Sequence, residues 1–228
     1  MKYSDIYRLY STSQPKDAIH QALREVSVDD SDEQYEDRSP LHLACQYGDT
    51  EGVKILLERD AEPNTKDANG STPIHILGRT SAGCADEDKL KEIAVVLMEH
   101  GANIPRSAKN TTALIECVRN RHFKMAEAII NSGTRVNSTD LNGENVLFGF
   151  CAASGDIRRD IRFAKKELDE SVQYSYPENK IEEIRSRIAR LEDDGEAAYR
   201  LARRLVEEDK VDPEDKSNSG KTAWDAAI

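Results

Sequence analysis

The chain has 228 residues, a formal net charge of −11, 38% hydrophobic residues and 33% charged ones. That length can bury one sizeable core, and the acidic balance argues against general nucleic-acid or anionic-membrane binding. No apolar run approaches the roughly 18 residues of a membrane span, and Met1-Lys2-Tyr3-Ser4-Asp5-Ile6-Tyr7-Arg8 lacks the apolar core of a signal peptide. A cytoplasmic chain is expected, with a nuclear location also compatible.

Residues 4–29 read as two short helices. Ile6, Leu9 and Tyr10 make one stripe; Pro15 opens a second with Ala18, Ile19, Ala22, Leu23 and Val26. The acidic run Asp29-Asp30-Ser31-Asp32-Glu33, with Glu36 and Asp37 after it, reads as a solvated loop. Next comes Ser39-Pro40-Leu41-His42-Leu43-Ala44-Cys45-Gln46-Tyr47-Gly48. Ser39 is a good N-cap, and Pro40 suits the first helical position, where its missing N–H costs nothing. Val53, Ile55, Leu56 and Leu57 supply a second helix, which Asp60-Ala61-Glu62-Pro63-Asn64 ends.

The pattern returns 33 positions on, at Thr72-Pro73-Ile74-His75-Ile76-Leu77-Gly78. The unit from 67 to 106 opens with the turn Asp67-Ala68-Asn69-Gly70 and carries seven extra residues around Thr80–Asp88, between its helices. In the unit 107–139, Thr112-Ala113-Leu114-Ile115 replaces the motif and loses both proline and histidine. Another begins at Asp140-Leu141-Asn142-Gly143-Glu144-Asn145, where the spacing of 33 from Thr112 to Asn145 restores the period. Its first helix runs through Val146–Ala152 and its second is expected at Ala198–Val206. Between them, roughly 155–197, lie two one-sided stripes: Ile157, Ile161, Ala164, Leu168 and Val172, then Ile181, Ile184, Ile188 and Leu191. With Tyr174-Ser175-Tyr176-Pro177 as a turn, they predict an antiparallel helical hairpin whose apolar seam is satisfied internally.

The 33-residue spacing and the two segments close to T-P-L-H-x-A resemble the ankyrin repeat. The resemblance implies an all-α ankyrin-repeat solenoid of helix-turn-helix units with β-turn fingers, bearing a helical-hairpin insertion in the fourth repeat. Within a single domain of 1–228 the expected parts are a cap-like repeat at 4–29 and repeats at 34–66, 67–106, 107–139 and 140–216. The insert spans 155–197, and a partial repeat at 217–228 ends inside its first helix. No unit buries its apolar face alone, so each must stack on a neighbour.

Catalysis is not expected. His42 and His75 sit on separate repeats without a second ligand at i+3 or i+4, so bracing the turn is their expected role. Gly220-Lys221-Thr222 echoes the end of a phosphate loop but lacks the earlier glycine, and no C-x-x-C pair or nucleophile elbow occurs. Cys45, Cys117 and Cys151 are expected as buried thiols on separate helices, and Cys84 as a loop thiol. No cofactor and no metal are implied.

The resemblance implies a non-catalytic protein–protein interaction module or scaffold, monomeric apart from a protein partner held in its concave groove. Turn tips and first-helix positions nominate Tyr35, Arg38, Gln46, Tyr47, Asn69, Ser71, Arg79, Lys109, Arg119, Asn120, Asn142 and Glu144. Tyrosines favour interface hot spots, and Arg79, Lys109 and Arg119 would form a basic strip. The alternative is a regulatory inhibitor or host-directed effector that masks a partner's surface with groove and hairpin.

Overall fold

A computed structural model of the chain describes residues 1–80, 86–104, 112–174, 176–208, 211–223 and 225. Cys84, Lys109 and Ser175, all named above, lie outside the described residues. The chain divides into two compact units, Met1–Leu141 and Asn142–Ile228. Among the described residues the regular structure is helical, and no helix is long and apolar enough to cross a membrane.

In the first unit the helices are α1 (Tyr3–Ser11), α2 (Lys16–Glu25), α3 (Pro40–Gln46), α4 (Thr50–Leu57), α5 (Pro73–Gly78), α6 (Glu87–Glu99), α7 (Ala113–Arg119) and α8 (Phe123–Asn131). Helices α3, α5 and α7 pack side by side in one layer, and α2, α4, α6 and α8 in a second. The core lies between the layers. Leu41, Leu43, Val53, Leu56, Ile74, Leu77, Leu90, Ile93, Leu97 and Ile129 are all but inaccessible to solvent. None of these helices exceeds 13 residues, so stacking rather than propensity holds them.

The caps form where side-chain chemistry directs. Ser39 and Thr72 are N-caps, each followed by proline. The Ser39 N–H donates to His42 Nδ1 at 3.1 Å, and His42 Nε2 donates to the Ser71 carbonyl at 3.0 Å. This neutral tautomer uses both ring nitrogens, and burial pulls the imidazole below its usual range. His42 thus welds its own helix to the following turn. In that turn the Asp67 N–H meets the Ser71 carbonyl at 2.9 Å, while Asp67 Oδ1 accepts from the N–H groups of Asn69 and Ser71. Gly70 supplies the positive φ of 66° that closes it. Successive turns are tied by the Ala68 N–H donating to the Glu36 carbonyl at 2.7 Å. Where proline and histidine are lost, Thr112 still caps α7 by accepting from the Ile115 N–H.

In the second unit α9 (Val146–Gln173, 28 residues) and α10 (Glu178–Glu207, 30 residues) lie antiparallel, joined at Tyr174–Pro177. Sequence periodicity suggested four helical pieces; the structure has two continuous helices. Gly155 and Gly195 do not break them, since each sits among residues whose i→i−4 bonds persist. The seam keeps the read stripe through Leu168 and then passes to Ser171 instead of Val172: Ile157, Ala164 and Ser171 are buried, whereas Val172 is 54% exposed. Steps of four overshoot a 3.6-residue turn, and a seven-residue repeat drifts back toward the seam. Opposite, Ile184 and Ile188 pack on Ala164, with Leu168 partly covered. A turn like that of Asp67 recurs here. The Ser217 N–H donates to the Lys221 carbonyl at 2.8 Å, and the Asn218 N–H to the Asn142 carbonyl at 2.7 Å.

Candidate functional site

The sequence-nominated residues fall into three groups. Tyr35, Arg38, Gln46, Tyr47, Asn69, Ser71, Arg79, Arg119 and Asn120 lie in the first unit; Asn142 and Glu144 belong to the second; Lys109 lies outside the described residues.

Within the first unit most of the polar nominees tie repeat to repeat. Arg38 donates to Gln46 Oε1 at 2.8 Å and to Glu36 Oε2, with Asp67 at 3.7 Å. Arg79 donates to Ser71 Oγ at 3.0 Å and to Glu116 Oε1 at 3.1 Å. Arg119 pairs with Asp140, and Asn120 donates to the carbonyls of Gly78 and Glu116. Of the strip that sequence presents as basic, Arg79 and Arg119 are therefore charge-compensated at contact distance. Ser71 needs correction: it is fully buried, its carbonyl, N–H and hydroxyl all engaged inside the stack. It belongs to the framework and does not face a partner.

The tyrosines are arranged differently. Tyr35 lies in a short 3-10 turn (Glu33–Tyr35) that Asp32 caps through the Gln34 N–H. Its ring meets those of Tyr7 at 4.3 Å and Tyr3 at 5.6 Å. Tyr47 stacks on Tyr10 at 4.7 Å with planes 10° apart, yet is 41% exposed. Burial, then the neighbouring Tyr7 phenol, raises the Tyr47 hydroxyl above its usual range. Tyr7 and Tyr35 are themselves only half-buried. Sequence reading missed Tyr3 and Tyr7, although Tyr3, Tyr7 and Tyr10 recur at i, i+4 and i+7 on α1, a one-face spacing.

Beneath this group Tyr10 donates to Asp49 Oδ2 at 2.9 Å, and His20 Nε2 contacts both Asp49 oxygens at 3.0 Å. Asp49 begins α4 without capping it, because its carboxylate is turned to these partners. Further along, His122 is clasped between the Thr80 carbonyl at 2.6 Å and Glu87 Oε1 at 2.7 Å. That clasp fixes both ends of the seven-residue extension read from the sequence.

The second unit holds a feature that sequence reading did not find. Leu147, Phe150, Cys151 and Ser154 of α9, with Tyr199, Ala202 and Val206 of α10, line an apolar cavity of about 380 Å³. Cys45 and Cys117 are fully buried free thiols raised by burial, as expected, while Cys151 is half-buried at this cavity's wall. Among the described residues, no group of three or more His, Cys, Asp or Glu side chains gathers to hold a metal ion.

Short helix pairs, those of α3, α5 and α7 opened by Ser or Thr N-caps, define an α-helical repeat protein. The repeats matched within it are of the ankyrin type. Residues 23–77 match the family profile described as "Ankyrin repeats (many copies)". Over 134 residues the chain is 30% identical to the neurogenic locus notch homolog protein 1 of Homo sapiens, covering 58% of this chain and 5% of that protein. Over 48 residues it is 46% identical to the transient receptor potential cation channel subfamily A member 1 homolog of Caenorhabditis elegans, covering 21% and 4%. The Homo sapiens channel of that subfamily is 34% identical over 85 residues, covering 36% and 7%. The chain thus spans less than a tenth of the length of these relatives.

Proposed function

We propose that the chain is a non-catalytic protein-interaction module that takes a protein partner on the first-helix and turn face of its first unit. One observation carries the reading: Tyr47 stands 41% exposed at the end of α3, one ring face stacked on Tyr10. A large ring already held in place binds with little further loss of side-chain freedom, the property that makes tyrosine common at hot spots. The paired Arg38, Arg79, Arg119 and Asn120 support the reading as a rigid wall rather than as a cationic lure. A cytoplasmic setting fits the unpaired, buried thiols. Retention of a protein by the immobilised chain, lost on Tyr47→Ala with the circular dichroism unchanged, is the expected outcome. Equal retention by Tyr47→Ala and by an Asn69→Ala, Gln46→Ala pair overturns this face as the site.

A second reading, a regulatory inhibitor or effector that adds the hairpin as a further contact, is favoured by the exposed tip. Tyr174 is 66% and Tyr176 43% exposed, the latter under the Lys180 ammonium at 4.5 Å. Loss of the partner's own activity on adding the chain, restored when residues 160–190 are replaced by a short turn, supports it; an unchanged activity removes it.

A further inference from the structure

We infer that the partner segment taken by the tyrosine end of the first unit is a cationic peptide whose arginine side chain lies on the Tyr35–Tyr7–Tyr47 surface. The inference rests on the protein-interaction reading and specifies the chemistry of the partner. Three half-exposed phenol rings from three segments, α1, the 3-10 turn and the end of α3, share one region. Ring faces are electron-rich, and guanidinium is the protein cation that stacks on them best.

Charge complementarity selects the same occupant. Tyr35 stands inside the stretch 29–37, which holds six carboxylates and no basic residue. Arg38 and, less strongly, Asp32 act on the Tyr3 phenol, and Asp30 accepts from the Tyr3 N–H at 2.7 Å. Cations near these rings include Arg38, Arg8, Lys16 and Lys89. Arg38 is turned to Glu36 and Gln46, and Arg8 lies 3.8 Å from Asp5. Lys16 and Lys89 line a pocket with Tyr47, Thr80 and Asp86. Backbone geometry adds rigidity to the platform: Glu36 and Asp37, which follow Tyr35, both hold positive φ, at 60° and 53°. A turn of that kind presents Tyr35 in one orientation. Carboxylates beside the aromatic faces would hold the remaining donors of a guanidinium through charge-assisted bonds.

The test uses a fluorescein-labelled octapeptide of alternating glycine and arginine, with lysine and glutamate counterparts, read by anisotropy against the full chain. Saturable binding in the order arginine, lysine, then glutamate is expected, weakening as salt rises from about 0.05 to about 0.5 M. Tyr47→Leu weakens the arginine peptide about fivefold and Tyr47→Phe leaves it unchanged, because the ring and not the hydroxyl carries the contact. Asp29→Asn combined with Glu33→Gln weakens it about twofold without touching the packed rings. No saturable binding, equal binding of the glutamate peptide, or indifference to Tyr47→Leu overturns the inference. A partner retained in a Tyr47-dependent manner alongside failure of the arginine peptide would sink the cationic specificity alone. The converse result would sink the protein-module reading of the face and leave the peptide site standing.

Discussion

The two units bury apolar surface by different geometries, and two glycines show the contrast. Gly52 in α4 lies beneath a ceiling: a Cβ there would meet Asp49 Oδ2 at 2.7 Å and both Leu23 Cδ1 and Tyr10 Oη at 2.9 Å. Gly195 in α10 faces only Ile157 Cγ2, at an ordinary 3.5 Å. The first unit packs two layers of short helices with polar groups drawn inside, and small residues mark where backbone and buried network nearly touch. The second runs two long helices along one seam, where a small residue leaves room. Density in the first comes from contacts between distant segments; order in the second comes from a local repeat.

Five substitutions and a pH series would break or sharpen that contrast. Leu56→Ala, at a position with no solvent exposure, should cost about 3 kcal/mol in urea titration, and Ile184→Ala in the hairpin only about 2. Equal costs would mean that the seam is packed as tightly as the layered core. Gly52→Ala should destabilise by about 2 kcal/mol through overpacking.

His42 provides a pH signature of the first unit. Its folded value lies below the ordinary 6.5 through burial, so the unfolded chain binds the proton more readily. The corresponding stability is fully present above about 6.5 and is lost as pH falls through the lowered value. His42→Gln should flatten the stability slope below about pH 6.5 relative to the parent chain; an unchanged slope would show that the Ser39–His42–Ser71 clasp tolerates a charge.

At the small end, Gly195→Ala should stabilise by about 0.5–1 kcal/mol, the helix-interior preference with no steric penalty. A loss instead would show that the two long helices approach more closely than their seam indicates. Lys165→Ala removes an exposed pair with Glu192 at 2.8 Å and should change stability by less than about 0.5 kcal/mol.

The repeat architecture was legible because its signals are local. A hydroxyl before a proline, a glycine closing a turn and a 33-residue spacing act within a few bonds of the backbone they shape, so Ser39, Thr72 and Gly70 carry the same meaning in sequence and in space. The candidate surface was legible only in part. Tyr35 and Tyr47 could be nominated from register, but whether a nominated side chain is available depends on atoms tens of residues away. Arg79 meets Glu116, Arg119 meets Asp140, and Ser71 is enclosed by His42 and Arg79.

The chain's period, its capped helices and the amphipathic character of its long pair were thus set by residue order alone, through short-range sterics and hydrogen bonding. Which arginines are spent on neighbours, which tyrosine faces stay open and where the hairpin seam runs were decided by packing. Those outcomes depend on long-range proximity, which the spacing of apolar letters does not record.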